Sequence, residues 1–159
     1  MILNKQVGVF LNLVHNRFKQ YITVIFNERG FDMTPEQFLV MDTLWDEGIM
    51  SQQQIANTIL KDKNSVVKLI DGLEKKGLVK RIADKQDRRQ NLIEITSNAI
   101  KIKDEVTDIA MEAVNRIIKD IPQNDMYVFI KVLSEMAKNM NTDVNLLKLS
   151  KTKITEVIE

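Results

Sequence analysis

Apolar residues recur every three or four positions at Val7, Phe10, Leu11, Val14, Phe18, Tyr21, Ile22, Ile25 and Phe26. That spacing predicts a long amphipathic helix, closed near Gly30, where a left-handed stop is cheap. Thr34-Pro35-Glu36-Gln37 is a start signal: a capping hydroxyl, a proline suited to the first helical position and a glutamine placed to complete a capping box. The helix it opens carries Phe38, Leu39, Met41, Leu44 and Trp45 and stops near Gly48. Ser51-Gln52-Gln53-Gln54 repeats the box and opens a short helix with Ile55, Ala56 and Ile59 inward. Asp62 is the next cap, and Lys63 to Lys76 reads as a helix burying Val66, Leu69, Ile70 and Leu73, with Gly77 as its stop.

The period then changes. Leu78-Val79-Lys80-Arg81-Ile82 and Asn91-Leu92-Ile93-Glu94-Ile95 are short β-branched runs joined by a charged loop from Ala83 to Gln90, which predicts a hairpin with a long tip. Thr96 caps a second long helix with Ile102, Val106, Ile109, Ala110, Ala113, Val114, Ile117 and Ile118 on one stripe. Ile121-Pro122 ends it. Gln123-Asn124-Asp125 starts another, bearing Met126, Phe129, Ile130, Leu133, Met136, Ala137 and Met140. A further helix through Leu146, Leu147, Leu149, Ile154 and Val157 is an expectation for the tail, residues 142–159. The fold class expected is mainly α with a small β-wing. A winged helix-turn-helix head over about 34–96 stands beside a layer of long helices at about 4–30 and 97–141.

Composition narrows the chemistry. Hydrophobic residues make up 44% and charged residues 28% of the 159, enough for a buried core. With no Cys, disulfides and thiolate sites are excluded, and a single His argues against a multi-histidine metal site. The sequence shows no signal peptide and no apolar run of membrane-spanning length, so a cytoplasmic protein is expected. Net charge is +1, but Lys61 to Gln90 holds ten basic and five acidic residues. That segment is therefore +5 and the remainder −4, a distribution that suits a localised polyanion contact as well as a merely solvated face.

Removing the inward residues of the helix after Asp62 leaves Asn64, Ser65, Lys68, Gly72 and Lys75 on one stripe, with Lys63 at its start. Asn and Ser can bond base edges, and Lys can reach phosphate or guanine. Any surface helix has a polar face, so the hairpin matters more. Asp84-Lys85-Gln86-Asp87-Arg88-Arg89 sets three cations at a loop tip, a composition suited to a narrow minor groove, with Asp87 placed to brace one arginine.

Residues Gln54-Ile55-Ala56, then Lys63-Asn64-Ser65-Val66-Val67-Lys68-Leu69-Ile70-Asp71-Gly72-Leu73-Glu74-Lys75-Lys76-Gly77-Leu78-Val79, resemble the recognition-helix segment of the MarR family of bacterial regulators. Asp84-Lys85-Gln86-Asp87-Arg88-Arg89 followed by Leu92 to Thr96 is similar to that family's wing. The motifs span about residues 51–98, and the helix order extends the likeness to about 4–141. The resemblance implies a homodimer whose first and last long helices form the dimerisation layer, binding near-palindromic double-stranded DNA and acting as a repressor. It implies DNA contacts from Ser51, Gln53, Lys63, Asn64, Ser65, Lys68, Lys75, Arg81, Lys85, Asp87, Arg88 and Arg89. Many members release DNA when a small anionic or aromatic effector binds between the helical layer and the head; His15 and Arg17 are the ligand candidates here. Gly72 departs from the family, which often carries a larger basic residue there. The competing reading is a winged-helix module that contacts protein without specific DNA binding. An enzyme is not expected, since no Gly-rich phosphate loop, metal spacing or nucleophile-base set is present, and no cofactor is implied.

Overall fold

The computed structural model describes residues 2–87 and 90–140, which form six helices and three strands among the described residues. In chain order they are α1 (Ile2–Glu28), α2 (Pro35–Glu47), β1 (Met50–Ser51), α3 (Gln52–Ile59), α4 (Lys63–Lys75), β2 (Val79–Ala83), β3 (Asn91–Ile95), α5 (Ser97–Ile117) and α6 (Gln123–Met140). The chain divides into two compact units, residues 1–117 and 118–159. The expected tail helix lies outside the described residues.

Both capping boxes form. Thr34 Oγ1 accepts from the Gln37 amide and Gln37 Oε1 accepts from the Thr34 amide, each at 3.2 Å. Ser51 and Gln54 repeat the exchange at 3.2 and 2.8 Å. Asp62 caps α4 through the Ser65 amide at 2.9 Å. Each such bond satisfies a helix-start donor that has no partner within the helix.

Two local features differ from the expectation. Met50–Ser51 forms a third strand that was not expected, and the antiparallel sheet runs β1-β3-β2, with Met50 opposite Ile93 and Arg81 opposite Ile93 on the other side. A two-residue strand is too short to show alternation. The hairpin begins one residue later than expected, at Val79, because Gly77 occupies a left-handed corner (φ +68°) before it. Thr96 locks that corner: its hydroxyl donates to the Gly77 carbonyl at 2.7 Å and its amide to Leu78 O at 3.0 Å.

The core belongs to the first unit. Phe26 from α1, Val40, Met41 and Leu44 from α2, Ile55 from α3, Val66, Ile70 and Leu73 from α4, Ile93 from β3 and Val106 from α5 are fully buried. Phe38 joins Phe26 to Trp45 at ring separations of 5.7 and 6.3 Å, and the Trp45 indole donates to Ala99 O at 3.2 Å. Of the apolar stripe on α1, only its C-terminal end, Ile22, Ile25 and Phe26, reaches this core; Phe10, Leu13 and Val14 stay exposed. Leu39, among the apolar residues of α2, is also exposed. In the second unit α6 leaves Val128, Phe129 and Val132 exposed.

Truncating Ile70 to Ala is expected to lower the unfolding free energy by about 2–5 kcal/mol in urea titration, while Leu39→Ala should fall within about 0.5 kcal/mol of the parent protein.

Candidate nucleic-acid interface

The surface of α4 is decided by what grips its flanks. On one flank stands β2. Arg81 turns back from the strand and pairs with Asp71 at 2.5 Å and with Glu74, while its backbone amide donates to Glu74 Oε1 at 3.2 Å. The Gln52 side-chain oxygen, in the orientation that satisfies its surroundings, accepts from the same guanidinium at 3.2 Å. Burial alone would pull the Arg81 pKa down, but the Asp71 hydrogen bond and the charges of Glu74 and Asp71 outweigh it and hold it above the ordinary arginine value. On the other flank stands α2. Lys76, the C-terminal cap of α4, donates to Asp32 O at 2.5 Å and to Gln37 Oε1 at 2.9 Å, and pairs with the Asp32 carboxylate at 3.2 Å.

Gly72 is part of that second flank and not of the outward stripe. A β-carbon placed there would stand 2.6 Å from Gln37 Nε2. At 100° per residue, position 72 lies about 80° from Asn64, already turned toward α2. The corrected outward face is Asn64, Lys68 and Lys75, all exposed, with Lys63 at the first turn. These four lie along roughly three turns of helix.

The other expected contacts divide by what already holds them. Ser51 is buried and its hydroxyl accepts the α3 cap bond, so it offers the helix start and not a free side chain. Gln53 is exposed and donates to Asn57 at 2.9 Å. The Ser65 hydroxyl donates to Asp62, which leaves it only as an acceptor outward; that bond and the Ser65 amide hold the Asp62 carboxyl below the usual aspartate value. Arg81 is committed internally, as above. Lys80, a neighbour the sequence had not singled out, pairs across the ribbon with Glu94 at 2.6 Å. At the tip of the hairpin, the Asp84 carboxylate accepts from the Gln86 amide at 2.8 Å, and Lys85 and Asp87 are exposed. Arg88 and Arg89 lie outside the described residues. Lys63, Lys68, Lys75 and Lys85 have no ion-pair partner within 4.0 Å among the described residues. A groove of about 710 Å³ runs between the start of α3 and the hairpin, lined by Gln53, Gln54, Asn57, Gln86 and Gln90 among others.

Comparison with known proteins agrees with this geometry. Residues 33–90 match the model of the MarR family.

Residues 33–90 form a MarR-family domain.

Individual proteins resemble this chain in sequence or in fold. The regulator MhqR of Bacillus subtilis is 25% identical over 107 residues, covering 67% of this chain and 74% of that protein. The overoxidized form of AbfR, solved bound to DNA, is 26% identical, with a TM-score of 0.72 over 88% of this chain and 96% of its own. The Staphylococcus aureus MepR–DNA complex is 23% identical with a TM-score of 0.74, covering 83% and 96%; at that identity it speaks for the fold alone. These relatives are transcriptional regulators or DNA complexes, not enzymes. No helix among the described residues is long and apolar enough to cross a membrane, and no cluster of three or more His, Cys, Asp or Glu among them is placed to hold a metal.

A cavity of about 440 Å³ opens elsewhere in the first unit, between α1, α2, α5 and the corner joining α3 to α4. His15, Phe18, Lys19, Glu36, Phe38, Leu60 and Lys61 line it, and most of its wall is apolar. Lys19 and Glu36 form an ion pair at its edge. Burial alone would raise the Glu36 pKa, but the Lys19 bond and the charges of Lys19 and Lys61 bring it below the usual glutamate value. Leu60 sits in the left-handed region at φ 56°, as the α3 cap. Arg17 is not in this cavity. It stands about 200° around α1 from His15 and lines a separate hollow of about 300 Å³ with Leu13, Val14, Phe18, Tyr21 and Ile117. The resemblance had made both His15 and Arg17 ligand candidates on the first helix; helical phase separates them. It had missed Lys19, Glu36 and Lys61, which come together only through tertiary packing.

If the free lysines meet phosphate, Lys68→Ala and Lys75→Ala should each lower the slope of log affinity against log salt by about one per contact, whereas Lys80→Met should leave it unchanged. Arg81→Gln should instead cost about 1–2 kcal/mol of stability, a value reduced because Asp71 and Glu74 remain partly exposed. Titrations of a fluorescent duplex at several salt concentrations, beside urea melts, separate the two classes.

Proposed function

We propose that this chain is a sequence-specific DNA-binding transcriptional regulator, a cytoplasmic repressor that binds near-palindromic operators as a homodimer. The observation that carries the reading is the outward face of α4: three unpaired lysines and Asn64 aligned on a helix whose other sides are occupied. Phosphate contacts from Lys63, Lys68 and Lys75 would set register, and Asn64, with Ser65 as acceptor, would read base edges. Lys85, Asp87, Arg88 and Arg89 would carry the wing into the minor groove. Gln53 and the start of α3 would flank the backbone. The DNA-bound AbfR relative supports this placement of function.

The homodimer rests on uncovered apolar surface. Phe10, Leu13 and Val14 on α1 are 56%, 54% and 64% exposed, and α6 leaves its own apolar row uncovered. Burying each such side chain is worth about 1.5–3 kcal/mol, so a second copy is the natural cover, and a two-fold protein reads a two-fold site. The cavity bounded by His15, Lys19 and Lys61 is the seat proposed for a small effector, with a net positive rim and apolar walls suited to an aromatic or aliphatic anion. An occupant there would stand against Leu60 and Lys61, the residues just before the α4 cap.

Selection from a random-sequence duplex pool tests the whole reading. The expected result is enrichment of an inverted repeat, and sedimentation at a dimer mass. Val14→Asp should yield a folded monomer that has lost binding to the enriched duplex. A monomeric parent protein that enriches no sequence at low salt would overturn it.

A further inference from the structure

Two consecutive residues in the first turn of α2 face different parts of the molecule. Glu36 lines the cavity and is ion-paired to Lys19 of α1. Gln37 is buried, packs its amide over Gly72 in the middle of α4 and accepts from Lys76 at the end of the same helix. Its oxygen also holds the Thr34 amide, so it belongs to the cap of α2 and to the seat of α4 at once. One rigid turn therefore joins the wall of the cavity to the helix with the free lysines.

We propose that Gln37 is a positioning residue that transmits the state of the Lys19–Glu36 pair to α4, with Gly72 as the small residue that lets its amide approach. The proposal rests on the reading of α4 as the DNA-contact helix. Side chains that meet in packed cores have discrete arrangements, so losing the cavity ion pair can tilt the α2 turn and shift the Gln37 amide on α4 by tenths of an ångström. A shift of that size misplaces base contacts before it disturbs phosphate contacts, since hydrogen bonds weaken steeply with angle and screened charge does not. Gly72 gives the same prediction from the other side. A β-carbon there must displace the Gln37 amide, which would release both Thr34 and Lys76.

The experiment is a double-mutant cycle on sequence preference, the ratio of affinities for a duplex enriched from a random pool and for a scrambled duplex. Lys19→Met, which removes the cavity ion pair without touching α4, should reduce that ratio about fivefold or more, with affinity for the scrambled duplex unchanged. Lys76→Met, which removes the far anchor of Gln37, should reduce it similarly. Together they should cost no more than either alone, because both act through one amide. Gln37→Glu keeps the acceptor oxygen and should retain the ratio; Gln37→Ala should lose it. Lys19→Gln and Lys76→Gln replace any methionine variant whose thermal midpoint shows that it is unfolded. Additive losses, or no loss from the Lys19 variant, would overturn the proposal while leaving the DNA-binding reading intact. Failure to enrich any duplex with the parent protein would overturn both.

Discussion

The orientation of α4 depends on two opposed clamps. Arg81 draws Asp71 and Glu74 toward the hairpin, and Lys76 with Gln37 fastens the other side to α2. Between them, Val66, Ile70 and Leu73 fill the core, so the helix can neither roll nor slide without giving up either an ion pair or buried apolar surface. The remaining side, with Asn64, Lys68 and Lys75, is left to meet something else. The interface is in this sense a remainder: it is the surface left after packing and pairing have been satisfied.

The same logic explains which parts of the molecule could be read from the chain. Helix order, both capping boxes and the hairpin were legible because each follows from local spacing: Thr34 with Gln37, Ser51 with Gln54, and the β-branched run Asn91–Ile95. The match of residues 33–90 to the MarR family was legible from the recognition-helix segment together with the Asp-Arg-Arg tip. Long-range pairing was not legible. Arg81 looks like a wing cation in sequence, and only the fold brings it beside carboxylates seven and ten positions earlier. Gly72 reads as an outward gap until α2 is seen to lie against it. Asp71 and Glu74, three apart on one helix face, were the hint that a cation would be needed there.

The cavity presents a similar case. His15 was identifiable as the single histidine of the sequence, yet the charges that give the site its character come from three elements, with Lys19 on α1, Glu36 on α2 and Lys61 at the corner before α4. No periodicity in any one of them marks a binding site. The left-handed Leu60 beside Lys61 adds backbone strain of about 1–2 kcal/mol in a position a glycine or asparagine would fill more cheaply.

The internal neutralisation of Lys76, Lys80 and Arg81 also bears on selectivity among nucleic acids. Among the described residues, three of the eight cations between residues 61 and 90 face the protein's own carboxylates, so the field those eight present outward is sparse and discrete in place of a continuous basic sheet. On the proposed reading such a surface adheres weakly to bulk chromosome, because adhesion without sequence is set by the number of phosphates neutralised. Residence at any one locus would then be governed by the fit of a few hydrogen-bonding groups, and the protein would spend little of its time on the wrong sites.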